Sequence, residues 1–70
     1  MDLKQFGTNL AKARIARELS AYELSLRIDK SANYIHRVEN GDVNISIKSL
    51  LSICKELGIS PDELFKGLDL

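Results

Sequence analysis

Several residue types and patterns are scarce in this chain, and each absence narrows what it can be. A single cysteine, Cys54, among 70 residues cannot form an internal disulfide. The only histidine, His36, has no cysteine at a metal-ligand spacing and a single carboxylate, Glu39, one helical turn away, which is too few ligands, so no metal site is expected. No apolar run approaches the roughly 20 residues of a membrane span, and no secretory apolar region follows Asp2. We therefore expect a cytoplasmic protein that does not enter a membrane.

The arrangements that support catalysis are also absent. No nucleophile is placed with a base and an oxyanion donor, no glycine-rich phosphate loop follows a strand, and no carboxylate pair lies near His36. With 44% hydrophobic and 29% charged residues, the 70-residue chain has the composition of one globular domain. We expect a single domain over residues 1–70 with no enzymatic activity, no cofactor and no small-molecule ligand.

Charge is balanced overall but unevenly distributed along the chain. Residues 1–40 carry seven Lys or Arg against five Asp or Glu, a net charge of +2, and residues 41–70 carry three against five, a net charge of −2. This asymmetry is compatible with a nucleic-acid face on the first half, although it is weaker than the basic patch typical of strong non-specific binding.

Helix caps divide the chain into five predicted helices and leave no strand pattern. Ser20 and Glu23 have the spacing of a capping box, and Ser31 and Ser46 stand where caps of two further helices are needed. Ser60 followed by Pro61 predicts a short last helix, and Asp2 can cap the first one. The predicted bounds are about 2–17, 21–28, 31–39, 46–57 and 61–66.

The clearest periodic signal lies in the fourth predicted helix. Apolar residues recur there at the spacing of one helical face, which we expect to be buried in the core. These residues are Ile47, Leu50, Leu51, Cys54 and Leu57.

Residues 21–40 have the pattern of a helix-turn-helix. Leu24 and Ile28 on the first helix of this unit face Ile35 and Val38 on the second, and the small Ser25 lets the two helices cross closely. Two short helices joined by a turn of three or four residues form the unit that lays its second helix in the major groove.

Four segments together resemble a known family. They are Leu19-Ser20 with Glu23-Leu24, Tyr34-Ile35, residues 38–41, and residues 57–60 with Leu64-Phe65. Residues 19–65 resemble the Xre family of lambdoid-repressor and Cro-like helix-turn-helix domains. The resemblance implies a compact all-α, five-helix lambda-repressor-like fold, with the helix-turn-helix formed by helices 2 and 3. It also implies a sequence-specific transcription regulator, a repressor that binds a pseudo-palindromic operator in double-stranded DNA as a homodimer.

The resemblance also assigns DNA contacts by position. In chemical terms, Asn33 can pair bidentately with adenine and Arg37 with guanine, while the Ala32 methyl can touch a thymine methyl. Tyr34 is equally suited to packing. The implied base contacts are Ser31, Ala32, Asn33, His36 and Arg37. The implied phosphate contacts are Ser20, Ala21, Lys30, Tyr34 and Asn40, a use that suits helix N-termini.

Two structural roles are implied as well. Arg14 and Glu39 match a family ion pair that ties the first helix to the end of the recognition helix. The predicted dimer surface is the apolar end of the chain, because these leucines and phenylalanine exceed what a short tail needs for its own packing. Its members are Leu64, Phe65, Leu68 and Leu70.

Some positions depart from the family pattern. Glu18 and Asp29 replace glycines, Lys30 replaces an apolar residue, and Ala21 replaces a glutamine that commonly touches phosphate. Asp29, Ala21 and the zero net charge favour an alternative hypothesis. In it, the domain is a protein-binding helix-turn-helix module, an antagonist or partner of another regulator, which does not bind DNA. The two hypotheses differ in salt dependence, since phosphate binding releases counterions.

Overall fold

The computed structural model describes residues 3–68, and within that range it is all-helical. Four α-helices run over Leu3–Ala16 (α1), Ala21–Arg27 (α2), Tyr34–Glu39 (α3) and Ile47–Leu57 (α4), followed by a 3₁₀ helix over Pro61–Leu64. The all-α prediction is confirmed. The prediction of five α-helices is wrong, because residues 61–64 form a 3₁₀ helix instead. Two predicted features, the cap at Asp2 and the dimer contact at Leu70, lie outside the described residues.

Local hydrogen bonding explains why the last helix is not an α-helix. The Glu63 amide donates to the Ser60 carbonyl at 3.2 Å and the Phe65 amide to the Asp62 carbonyl at 3.1 Å, both across three residues. The Ser60 side chain makes no capping bond. Because the segment is short and has no side-chain cap, it forms the tighter 3₁₀ helix rather than an α-helix. We call residues 61–68 the C-terminal segment.

The third helix starts later than the sequence predicts. Ser31 does not cap it: its hydroxyl donates to Asn33 Oδ1 at 3.2 Å, and its carbonyl accepts from the Tyr34 amide at 3.0 Å. Asn33 stands at the cap position with φ −101° and ψ 7° and makes no side-chain capping bond. Residues 31–33 therefore form a turn that leads into α3.

The core is built from one side of every helix. α3 packs against both α1 and α2, α4 packs against α2, and the 3₁₀ helix packs against α1 and α4. Burial of these apolar side chains is the main stabilising contribution to a domain of this size. The core residues are Phe6, Leu10, Ala13, Leu24, Ile35, Val38, Ile53, Cys54, Leu57 and Leu64.

The predicted buried face of α4 is partly wrong. Ile47 and Leu51 are 76% and 53% exposed, whereas Ile53 is fully buried. The apolar band on α4 is wider than the core can cover, and the helix is turned so that Ile53 and Leu57 lie at the centre of the contact. The edge of the band that carries Ile47 and Leu51 is left on the surface.

A glycine sets the distance between α1 and α3. A Cβ on Gly7 would lie 2.7 Å from the carbonyl carbon and 2.8 Å from the Cα of Glu39. These distances are shorter than packed atoms tolerate, so only glycine lets α1 pass the end of α3 this closely.

The C-terminal segment is attached to α1 by one amide group and one ring contact. Asn9 Nδ2 donates to the carbonyls of Leu64 at 2.9 Å and Lys66 at 2.8 Å. The rings of Phe6 and Phe65 have centroids 5.8 Å apart. These contacts hold the segment in place although its 3₁₀ helix is only four residues long.

Candidate nucleic-acid interface

The helix-turn-helix is held together at Ser25, a fully buried residue of α2. Its hydroxyl donates to the Ala21 carbonyl at 2.8 Å and accepts from the Ile35 amide of α3 at 3.0 Å. Its carbonyl accepts from the Lys30 amide in the turn at 3.0 Å. The turn itself needs a left-handed residue, which is Asp29 with φ 60°. The family glycine would meet that requirement without strain.

The five residues predicted to contact bases all lie on the outer side of this unit. Ser31, Ala32 and Asn33 are exposed in the turn before α3, and His36 and Arg37 are exposed about one helical turn further on. Ile35 and Val38, on the opposite side of α3, are buried in the core. The structure therefore brings the five side chains to one exposed surface, although only two of them lie on the helix.

The residues predicted to contact phosphates differ in how exposed they are and in what their side chains contact. Lys30 is exposed and its Nζ lies 5.2 Å from the centre of the Tyr34 ring, a cation–π distance. Tyr34 is half-buried against the core, so it serves packing and keeps only part of its ring available. Asn40 is exposed at the end of α3, where its amide donates to the His36 carbonyl at 3.1 Å.

Ser20, another predicted phosphate contact, already makes hydrogen bonds within its own helix. Ala21, also predicted to contact phosphate, is the next residue. The Ser20 hydroxyl accepts from the Glu23 amide at 3.0 Å, and the Glu23 carboxylate accepts from the Ser20 amide at 3.2 Å. Donation from the Ser20 backbone amide to the carboxylate is the main effect that lowers the pKa of Glu23, and the Ser20 side chain adds to it. The capping box thus fixes a negative charge beside the N-terminus of α2, where a phosphate would also bind.

The predicted pair of Arg14 and Glu39 is present and bidentate. Arg14 Nε and Nη2 donate to the two Glu39 carboxylate oxygens at 2.7 and 3.0 Å, and Nη1 donates to the Leu19 carbonyl at 2.8 Å. The side chains are only 15% and 11% exposed. The hydrogen bond that Arg14 donates to Glu39 raises the pKa of Arg14 against the opposing effect of burial. The pair ties α1 to the last residue of α3 and fixes that end of the helix.

Sequence reasoning missed a second source of positive charge at this surface. Lys48 in the first turn of α4 lines the same groove as Lys30 and Ser46, a space of 270 Å³. The Ser46 cap was readable in the sequence. The position of Lys48 beside the helix-turn-helix depends on tertiary packing, so no local sequence signal could have revealed it.

The predicted dimer residues fall in different places. Leu64 is fully buried in the core of its own chain, so its side chain is not available to a partner and does not belong to a dimer surface. Leu68 is half-buried against that core. Phe65 is 40% exposed and lines an apolar groove of 360 Å³ together with Ile45, Ile47 and Leu50. Sequence reasoning assigned Ile47 to the core, so it did not predict that Ile47 lines this exposed apolar groove.

The described part of the chain offers few candidate groups for metal binding, for spanning a membrane or for thiol chemistry. Among residues 3–68, no three His, Cys, Asp or Glu side chains converge on a point where a metal could bind. None of the helices in this range has the length and apolar character to cross a membrane. Burial raises the pKa of the Cys54 thiol, which keeps it protonated and unreactive.

Comparison with known proteins identifies the family. A family model described as helix-turn-helix matches residues 10–64, most of the chain. The chain belongs to the Xre-like helix-turn-helix family. As a member of that family it is a DNA-binding transcription regulator.

Relatives of this Xre-like chain match it over most of their length. The control protein C.MunI of a Mycoplasma species is 36% identical over 70 residues, which cover 97% of this chain and 95% of C.MunI. The restriction-modification controller protein C.AhdI from Aeromonas hydrophila superposes with a TM-score of 0.86 at 36% identity, covering 91% of this chain and 97% of C.AhdI. The clp gene regulator ClgR from Corynebacterium glutamicum superposes with a TM-score of 0.85 at 25% identity, covering 93% of this chain and 69% of ClgR.

Proposed function

We propose that the protein is a sequence-specific repressor that binds a pseudo-palindromic operator and reads its bases from the exposed side of residues 31–37. One observation carries this proposal. The outer side of α3 and its preceding turn presents five exposed side chains, while both ends of α3 are fixed from behind by Ser25 and by the Arg14–Glu39 pair. A helix with a fixed back and an exposed front is suited to enter a major groove.

Two of the exposed side chains carry base-specific chemistry. Arg37 has no side-chain partner within residues 3–68, so its guanidinium is available to donate two bonds to guanine O6 and N7. Asn33 Oδ1 accepts from the Ser31 hydroxyl at 3.2 Å, which pre-orients the amide while leaving a lone pair and both Nδ2 hydrogens available. Adenine offers the matching N6 donor and N7 acceptor.

Phosphate contacts in this proposal come from Lys30, Lys48 and Asn40, with Ser20 and the first amides of α2 in a smaller role. The Glu23 carboxylate already satisfies the Ser20 amide. The lysines act as point charges that position the protein without reading sequence. Few such contacts predict modest affinity for a single copy of the chain.

A second copy of the chain is the partner that completes the operator. One helix-turn-helix contacts only half of a pseudo-palindromic site, and half-sites lie about 34 Å apart. We place the dimer surface on the exposed residues Ile47, Leu51 and Phe65, which form the apolar edge of α4 and the neighbouring C-terminal segment. Its self-complementary apolar character suits a two-fold interface, where the same patch meets itself.

The dimer surface has a matched test. Leu51→Asp places a charge in the proposed interface, and Leu26→Asp places the same charge on α2, where Leu26 is similarly exposed. Sedimentation equilibrium is expected to show a dimer constant weakened at least about a hundredfold by Leu51→Asp, the effect of an unpaired interfacial charge, and unchanged by Leu26→Asp. Equal constants for the two variants would exclude this surface.

The names of the relatives support a more specific role. Because C.AhdI is a restriction-modification controller and C.MunI a control protein, we propose that this regulator governs genes of a restriction-modification system. A regulator of this kind acts in the compartment that holds the DNA, which is the cytoplasmic location expected from the sequence. The role proposed here is regulatory and not enzymatic.

The experiment that tests the function is selection of bound fragments from a genomic DNA library with purified protein. The best fragment is then titrated at several salt concentrations. We expect an enriched inverted repeat and a log affinity that falls with log salt by about 0.9 per phosphate contacted. Failure of a folded, dimeric protein to enrich any sequence would contradict the proposal and favour the protein-binding module.

A further inference from the structure

The first turn of α3 contains a buried backbone amide with no acceptor in its own helix. Ile35 is the second residue of α3 and its side chain is fully buried. Amides in the first turn of a helix have no carbonyl four residues earlier within the helix and normally rely on an N-cap side chain or water. Asn33, at the cap position, makes no such bond.

Ser25, on a different helix, supplies the acceptor. Its hydroxyl oxygen lies 3.0 Å from the Ile35 amide nitrogen, in a contact buried from solvent. The same hydroxyl donates to the Ala21 carbonyl at 2.8 Å, which orients its lone pair away from α2. The Ser25 carbonyl meanwhile accepts from the Lys30 amide in the turn at 3.0 Å. One residue thus holds the end of α2, the turn and the beginning of α3.

We propose that Ser25 is a positioning residue for base recognition, a cap supplied across the helix-turn-helix that fixes where α3 begins. This inference rests on the proposed function, since it assigns a role to Ser25 in the reading of bases by residues 31–37. Ser25 itself is fully buried and does not touch DNA. It acts through Ile35, which lies two residues after the turn that carries Ser31, Ala32 and Asn33.

The effect falls on specificity more than on general affinity. Bidentate bonds to a base edge need donor and acceptor atoms within a few tenths of an ångström, and they weaken steeply when distances or angles change. Phosphate contacts by mobile lysines tolerate such a change, because they depend on charge more than on geometry. A loosened start of α3 therefore costs base discrimination and leaves non-specific binding nearly intact.

The first test uses the free protein and needs no operator. Amide hydrogen exchange of Ile35 is measured by NMR in wild type, in Ser25→Ala and in Ile53→Val, a core change on α4 that lowers stability without touching the cap. The exchange rates of the three proteins are compared under conditions in which all three are folded. We expect Ile35 exchange to accelerate on the order of tenfold more in Ser25→Ala than in Ile53→Val. Equal acceleration would overturn the proposed cap.

Two further variants keep the test decisive. Ser25→Thr retains the hydroxyl and is expected to keep Ile35 protected. Ser25→Cys has a similar shape but only a weak sulfur acceptor, and it replaces Ser25→Ala if the alanine variant does not fold. Loss of Ile35 protection in Ser25→Thr, when that variant is folded, would also contradict the proposal.

The second test uses the selected operator and an unrelated DNA of equal length. We expect Ser25→Ala to lower the ratio of specific to non-specific affinity on the order of tenfold, and Ile53→Val to leave that ratio unchanged. A ratio unchanged in Ser25→Ala would overturn the positioning role. Failure of wild type to select any operator would instead contradict the proposed function, while the exchange experiment would still decide whether the cap exists.

Discussion

Gly7→Ala is the change whose effect the structure specifies most directly. The added methyl would lie 2.7 Å from the carbonyl carbon and 2.8 Å from the Cα of Glu39. Both atoms are backbone and cannot turn aside, so α1 and α3 must separate. The separation also strains the Arg14–Glu39 pair, which joins the same two helices.

Two opposing effects set the magnitude for Gly7→Ala. Alanine in a helix interior is favoured over glycine by about 0.5–1 kcal/mol. Overpacking in a tight contact costs about 1–3 kcal/mol or more, and a clash with backbone belongs at the upper end. The net expectation is a loss of about 2 kcal/mol. In a domain of this size, that corresponds to a fall in melting temperature of about 8–16 °C.

Urea unfolding followed by circular dichroism measures this loss. Thr8→Ala is the control on the same helix, because Thr8 is exposed and its hydroxyl only returns to the Lys4 carbonyl. It is expected to leave stability unchanged or slightly raised. A Gly7→Ala variant as stable as Thr8→Ala would refute the close crossing of α1 and α3.

Three further predictions follow from the hydrogen bonds. Glu39→Ala strands the Arg14 guanidinium and is expected to cost about 2–3 kcal/mol, less than for a fully buried pair. Glu56 lies 4.0 Å from Arg27 in an exposed pair, so Glu56→Ala is expected to cost under about 0.5 kcal/mol, and equal melting temperatures of the two variants would disprove this. Because the pKa of Glu23 is lowered in the folded state, its contribution is present above the unfolded pKa and is lost as pH falls through the folded one. The stability difference between wild type and Glu23→Gln should therefore begin to shrink near the unfolded pKa of about 4.3 and vanish only below the lowered folded pKa, and a difference independent of pH would contradict it. Asn9→Ala removes two bonds to the C-terminal segment and should cost about 1–3 kcal/mol in urea unfolding and weaken the dimer; no change in either would argue against that attachment.

The helix boundaries that depend on local chemistry could be predicted from the sequence. The capping box at Ser20 and Glu23 forms as expected, and the Ser46 hydroxyl accepts from the Ser49 amide at 3.1 Å to start α4. Gly58, with φ 67°, ends that helix. Each of these signals lies in a single residue or in two residues three apart, so a local stretch of sequence contains it.

The start of α3 could not be predicted in this way. Ser31 has the chemistry of a cap, yet its hydroxyl binds the side chain of Asn33. The acceptor for the Ile35 amide comes instead from Ser25, ten residues away. A cap supplied by another helix leaves no local pattern.

The prediction of which face of α4 is buried was partly wrong for a related reason. Apolar spacing shows how wide the apolar band is, but packing decides which part of it the core covers. Ile53 took the central position and Ile47 was left exposed. In contrast, the exposure of His36 and Arg37 follows from the buried positions of their neighbours on α3, so this part of the candidate site was readable from sequence.

The most direct test of the central claim is base discrimination by Arg37, measured on the selected operator and on operators with single guanine substitutions in each half-site. Arg37→Lys keeps the charge but loses the fork of donors, and Arg17→Ala removes an exposed arginine beyond the end of α1 as a control. We predict that Arg37→Lys loses about 1–3 kcal/mol of discrimination at one guanine, and that Arg17→Ala keeps it. Full discrimination at every guanine in Arg37→Lys would contradict the claim that α3 reads the operator through Arg37.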